Sequence, residues 1–172
     1  MTGFLKRDRT RDEYIINYAS NSDFSICFGL STVPDFYFPG TRIIPSNFKI
    51  IGLFVMFIAL IFIIDSYWRF SRHNTTMVYG EKASHLMTDG TFAFTRNPLY
   101  LSLTVLLIGL VIFMGNLLAF IGPIILVICL NKFVIPNEER NLEIIFGNKY
   151  KSYKKKSVAM ALIAFITLHI NL

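Results

Sequence analysis

LYLSLTVLLIGLVIFMGNLLAFIGPIILVICL, residues 99–130, decides how this chain is organised. The run is apolar from end to end, yet too long for one ordinary membrane crossing of about 20 residues. Gly115-Asn116, a turn dipeptide, falls near its middle. The run therefore reads as two short helices, over about 99–114 and 117–135, folded into a tight hairpin. Gly109, Gly115 and Gly122-Pro123 suit close helix approach and a kink.

Upstream, residues 50–64 (IIGLFVMFIALIFII) contain no charge, and Tyr67, Trp68, Arg69 and Arg72 follow. Aromatics and then arginines mark an exit from hydrocarbon into headgroups, so a span over about 48–68 is expected. Residues 24–38 (FSICFGLSTVPDFYF) are apolar but interrupted by Pro34 and Asp35. They read as a kinked or re-entrant helix, too short for a clear span. Residues 1 to about 23 are polar, show no cleavable leader, and belong in water or at the interface. The stretch Val158–Ile170 is apolar and short, suited to the interface or to tucking back into a bundle.

Composition agrees with lipid as the solvent. Of 172 residues, 53% are hydrophobic and only 16% are charged, against about 25% charged in soluble domains. Mean hydropathy is +0.52. The net charge of +6 does not indicate a nucleic-acid binder, because the 17 Lys and Arg sit at the ends of apolar runs, facing headgroups. Cys27 and Cys129 lie in apolar stretches without a partner at metal or redox spacing, and read as small buried hydrophobes. The fold expected is all-α, an integral membrane helical bundle of about three to five short transmembrane helices. It divides into an interfacial region 1–45 and a membrane domain 46–172.

Charge also orients the chain. The hairpin turn has no Lys or Arg, whereas loop 68–98 carries Arg69, Arg72, Lys82 and Arg96, and segment 131–157 carries seven basic residues. Both ends of the hairpin are expected on the cytoplasmic side, which brings these two polar segments to one face.

Two clusters there carry the chemistry: Thr88-Asp89-Gly90-Thr91-Phe92-Ala93-Phe94-Thr95-Arg96-Asn97-Pro98-Leu99-Tyr100, and Pro136-Asn137-Glu138-Glu139-Arg140-Asn141-Leu142-Glu143 running on through Phe146-Gly147 to Tyr150 and Tyr153. Taken singly, these residues suit structural roles. Glu138 and Glu139 fit the positive end of a helix dipole, Pro136 a first helical turn, and Arg96 a headgroup anchor.

Taken together, T-D-G-x-F-x-F-T-R-N-P-L-Y, a helical hairpin and then E-E-R-x-L-x-x-x-F-G-x-x-Y-x-x-Y resemble the superfamily of isoprenylcysteine carboxyl methyltransferases and phospholipid methyltransferases. The resemblance covers about residues 70–156. It implies an S-adenosylmethionine-dependent methyl transfer to a lipophilic small-molecule or lipidated acceptor that enters from the membrane lipids. It also implies a cofactor pocket near the cytosolic membrane face. Carried over residue by residue, the cofactor is held by Ser84, His85, Leu86, Met87, Phe92, Asn97, Pro98, Leu99, Tyr100 and Glu138.

The residue chemistry suits those roles. Glu138 or Glu139 can accept hydrogen bonds from amino or hydroxyl groups. Phe92 and Tyr100 can pack on adenine or face a cation. Arg96 can pair bidentately with a carboxylate, and Arg96 and Glu139 are the candidate catalytic residues. His85 and His73 read as positional rather than basic groups. The family's substrate-contacting Arg aligns with Val134, which leaves the acceptor open among prenylcysteine carboxylates, phospholipid amines, thiols and isoprenoids. Two other classes remain: a membrane lipid or steroid reductase using a nicotinamide cofactor, and a non-catalytic membrane subunit of the same architecture.

Overall fold

A computed structural model describes residues 24–72 and 85–157. Expectations for 1–23, for 73–84 (with His73 and Ser84) and for 158–172 lie outside the described residues. The elements in order are α1 (24–37), α2 (Lys49–Arg72), α3 (Thr91–Phe94), α4 (Pro98–Met114), α5 (Ile121–Cys129), α6 (Ile135–Phe146) and α7 (Asn148–Lys156). Short 3-10 turns precede α2 and α5, and a π-turn, Leu130–Val134, joins α5 to α6. No strand occurs among the described residues; an isolated antiparallel bridge joins Arg42 and Asn116.

Two helical rods are long and apolar enough to cross a membrane: Ser46–Arg69 and Leu117–Phe146. α4, at 17 residues, is shorter. The apolar part of the second rod ends at Ile135, and Pro136 to Glu143 beyond it are mostly polar. α2 exposes Ile50, Leu53, Phe54, Phe57, Ile61 and Ile64. An outward face that apolar suits acyl chains and not water, and the protein is membrane-associated.

The α4–α5 hairpin turns at Gly115, whose φ of +78° is the left-handed conformation that ends a helix and that a Cβ disfavours. Asn116 follows, fully buried. Its side chain accepts from Leu118 N (3.0 Å) and donates to the carbonyls of Pro34 (3.1 Å) and Phe38 (3.3 Å). The hairpin end is thus fastened to the end of α1.

α2 lies along α4 at backbone distance. A Cβ on Gly52 would fall 2.6 Å from the Phe113 N and 2.7 Å from the Gly109 O. On its other side α4 meets α5, α6 and α1, where Cys27, Leu107, Leu126, Leu130, Val134 and Ile135 form the core.

α1 is helical through Pro34 and Asp35, the two residues that interrupt its apolar run in sequence. Pro34 falls in the last turn, and its carbonyl still accepts from Phe38 N at 2.9 Å and from Asn116. The Asp35 charge is neutralised by a two-pronged bond from Arg42, Nε to Oδ1 and Nη2 to Oδ2, both 2.7 Å.

Candidate functional site

At the end of the bundle opposite the hairpin turn, the two motif segments meet. α3 is only four residues long, and helices that short are not stable alone. It is held from two sides. On one side Arg69, near the end of α2, donates from Nε to Asp65 Oδ2 (3.0 Å) and from Nη1 to Asp89 Oδ2 (2.5 Å). Gly90 lets that guanidinium lie against the backbone: its φ is +57°, and a Cβ there would collide with the Arg69 side chain. Asp89 O and Gly90 O then accept from Phe92 N and Ala93 N, starting α3.

On the other side the Tyr153 hydroxyl of α7 donates to the Phe92 carbonyl at 2.6 Å. Arg96, just beyond α3, donates from Nε to Glu139 Oε1 (2.8 Å) and from Nη1 to the carbonyls of Lys154 (2.9 Å) and Ser157 (2.8 Å). Those carbonyls lie at the end of α7, where a cation meets the negative end of the helix dipole. Lys154 Nζ completes the network on Glu139 Oε2 at 2.7 Å.

The predicted site residues divide as follows. Met87, Phe92, Asn97 and Pro98 are buried, Leu86, Leu99 and Tyr100 half-buried, and His85 exposed. Glu138 is half-buried as a residue, but its Oε2 is shut off from solvent and has no hydrogen-bond partner among the described residues. The adjacent Glu139, about 100° round the helix, is instead paired with Arg96 and Lys154. Burial pushes the Glu138 carboxyl up to about 7, with the Glu139 charge adding to the rise and the Tyr100 hydroxyl opposing it.

A cleft of about 610 Å³ opens beside these residues, with His85, Leu86 and Thr88 on one wall and Phe146, Lys149 and Ser152 on the other. Of the described predicted cofactor residues, His85 and Leu86 line this cleft.

Arg96 and Glu139, read from sequence as catalytic, are committed to each other and to α7. The expectation that Arg96 grips a ligand carboxylate therefore meets a guanidinium whose Nε and Nη1 are already used. Sequence reasoning missed Asp65 and Arg69, because nothing local links α2 to a loop about 20 residues away. It also left Tyr150 unassigned, although the Y-x-x-Y spacing carried the signal. Tyr150 is fully buried and its ring lies 6.1 Å from that of Tyr153.

Comparison with known families gives this apolar helical bundle its class, a membrane methyltransferase. The family model for phospholipid methyltransferase matches residues 48–149, more than half of the chain, and the protein belongs to that family. It is 34% identical over 74 residues to the protein-S-isoprenylcysteine O-methyltransferase of Schizosaccharomyces pombe, a match covering 41% of this chain and 30% of that enzyme. It is also 43% identical over 58 residues to an uncharacterised Haemophilus influenzae protein, covering 34% of this chain and 92% of that one. No solved structure matches.

Proposed function

We propose that the protein transfers a methyl group from S-adenosylmethionine to a lipophilic acceptor at the cytosolic face of a multi-pass membrane bundle. One observation carries this reading: the buried Glu138 carboxylate, with Oε2 unpartnered, sits beside the start of α4 that holds Asn97, Pro98 and Tyr100. A shielded carboxylate with open lone pairs calls for a ligand bearing N–H or O–H groups and positive charge. The donor's amino group, ribose and sulfonium supply these.

The donor, when bound, contributes an electrophilic methyl whose bond to sulfur breaks as the acceptor's lone pair forms the new bond, leaving a neutral thioether. The chain's own part is positional. Glu138 takes the polar head, Phe92 and Tyr100 pack on flat or cationic surface, and the backbone of 85–87 lines the wall. Holding donor and acceptor in line, away from water, supplies most of the acceleration. An ionised carboxylate or thiolate acceptor needs no base, and an ammonium acceptor must first lose its proton. Arg96 and Glu139 serve by fixing α7 over the site.

A nicotinamide dinucleotide is less well supported, since Arg69 and Arg96, the arginines flanking α3, are already engaged by carboxylates. The distribution of basic residues supports the cytosolic orientation. The acceptor class is drawn from the S. pombe relative and the family: an isoprenylcysteine-like carboxylate or a phospholipid-like amine.

The test is calorimetric titration of detergent-purified protein with S-adenosylmethionine, alongside Glu138→Ala. The wild type binds and the variant does not, and labelled methyl then appears in a lipid acceptor. Folded wild-type protein that does not bind the donor sinks the reading. Binding without turnover on any lipid acceptor would leave a non-catalytic subunit.

A further inference from the structure

Tyr150 is fully buried in α7, between the motif segments, and its hydroxyl has no hydrogen-bond partner among the described residues. A buried hydroxyl without a partner is costly, and native structures keep few of them. Two tyrosines one turn apart make the contrast plain. The Tyr153 hydroxyl is spent on the Phe92 carbonyl, which it reaches at 2.6 Å. The Tyr150 hydroxyl has no such partner among the described residues, although its ring packs at 6.1 Å from that of Tyr153.

The surroundings of that hydroxyl indicate what it is kept for. Glu139, Arg96 and Glu138 all act on it electrostatically. Glu139 and Arg96 are already paired with each other. Glu138 has its own buried oxygen without a partner among the described residues, and its carboxylate is close enough to act on the Tyr150 hydroxyl. Glu138 offers an acceptor and Tyr150 offers a donor that burial keeps protonated. A ligand matching both carries an amino or hydroxyl group for one and an oxygen acceptor for the other. A lipophilic methyl acceptor presents mainly hydrocarbon, whereas the donor's ribose and amino-acid head present both kinds of group.

We propose that the Tyr150 hydroxyl is a direct hydrogen-bonding contact to the polar head of the bound methyl donor, acting alongside Glu138. This rests on the methyltransferase reading above.

Tyr150→Phe removes the hydroxyl and keeps the ring. The experiment compares wild type, Tyr150→Phe and Tyr153→Phe by thermal unfolding and by S-adenosylmethionine titration of the whole protein. Tyr150→Phe is expected to melt at or above the wild-type temperature, since it deletes an unpaired buried polar atom, while binding the donor about 5- to 10-fold more weakly for the loss of one hydrogen bond. Tyr153→Phe is expected to melt lower, having lost its bond to Phe92.

Unchanged donor affinity in Tyr150→Phe overturns the proposal. So does a melting loss equal to that of Tyr153→Phe without a change in affinity, which would make the hydroxyl structural. If Tyr150→Phe instead raises only the KM for the lipid acceptor, the contact to the donor is refuted. Wild-type protein that binds no donor removes the underlying reading as well, an outcome distinct from a wild type that binds and a variant that binds equally.

Discussion

Replacing Arg96 with Ala separates a residue that builds the site from one that touches ligand. The Arg96 and Glu139 side chains are only 11% and 13% exposed, and the pair is 2.8 Å apart. Removing one partner of a buried ion pair costs about 3–5 kcal/mol, because the other charge is left uncompensated. Lys154 still reaches Glu139 at 2.7 Å and recovers part of that. Against this recovery, the carbonyls of Lys154 and Ser157 lose their donor, at about 1 kcal/mol each. The net is about 3–4 kcal/mol, which lowers the melting temperature by roughly 10 °C at 2–4 °C per kcal/mol. Arg96→Lys should fall between, keeping a charge for Glu139 but lacking the planar fork that reaches two carbonyls. Circular dichroism melts of detergent-solubilised protein measure this directly, with donor titration on the same samples. Should Arg96→Ala melt with the wild type yet lose donor binding, the guanidinium serves a ligand and its role in fastening α7 is refuted.

Glu138 should give donor binding a pH dependence. Its carboxyl is raised to about 7 in the folded protein, above the ordinary 4.5. A raised value means that this group's contribution to stability is fully present below pH 4.5 and lost as pH rises through about 7. Donor binding runs the opposite way, because the ionised form is the stronger acceptor. At pH 6 about a tenth of Glu138 is ionised and at pH 8 about nine-tenths, so affinity should fall about tenfold between pH 8 and pH 6. Glu138→Gln should flatten that profile, and a wild-type profile flat over this range would contradict the assignment. Gly90→Ala should cost about 1–3 kcal/mol from its positive φ alone, and more from the collision with the Arg69 guanidinium. Melting curves and donor affinity should both drop, and a variant unchanged in both would show that Arg69 does not position this loop.

The hairpin was legible because lipid-facing helices leave a composition signal and because Gly115-Asn116 interrupts it. What Asn116 does was not legible. Its partners, Pro34, Phe38 and Thr41, lie about 75–82 residues away and are fixed only when α1 docks. Pro34 and Asp35 read as interruptions because propensity is local, while the remedy for Asp35 is Arg42 across a turn. In the site, two adjacent glutamates looked equivalent in sequence. Helical geometry turns one inward beside Tyr100 and the other towards Arg96 and Lys154. The π-turn at Leu130–Val134, just before α6, has no sequence pattern of its own.

The site's precision is therefore borrowed from elements that need not touch a ligand. α3 has four residues and three local backbone hydrogen bonds, too few to hold Phe92 by themselves. Its position comes from Arg69 on α2 and from Tyr153 on α7, and α7 in turn depends on Arg96 and Glu139. Substitutions in this supporting ring should weaken donor binding only to the extent that they loosen the fold, so affinity and melting temperature should fall together. Substitutions at Glu138 and Tyr150, whose buried Oε2 and hydroxyl have no partner among the described residues, should uncouple the two quantities, with affinity falling while the melting temperature holds or rises. That separation follows from which polar atoms are satisfied within the chain. It divides the motif residues into frame and contact more sharply than their order in the sequence does.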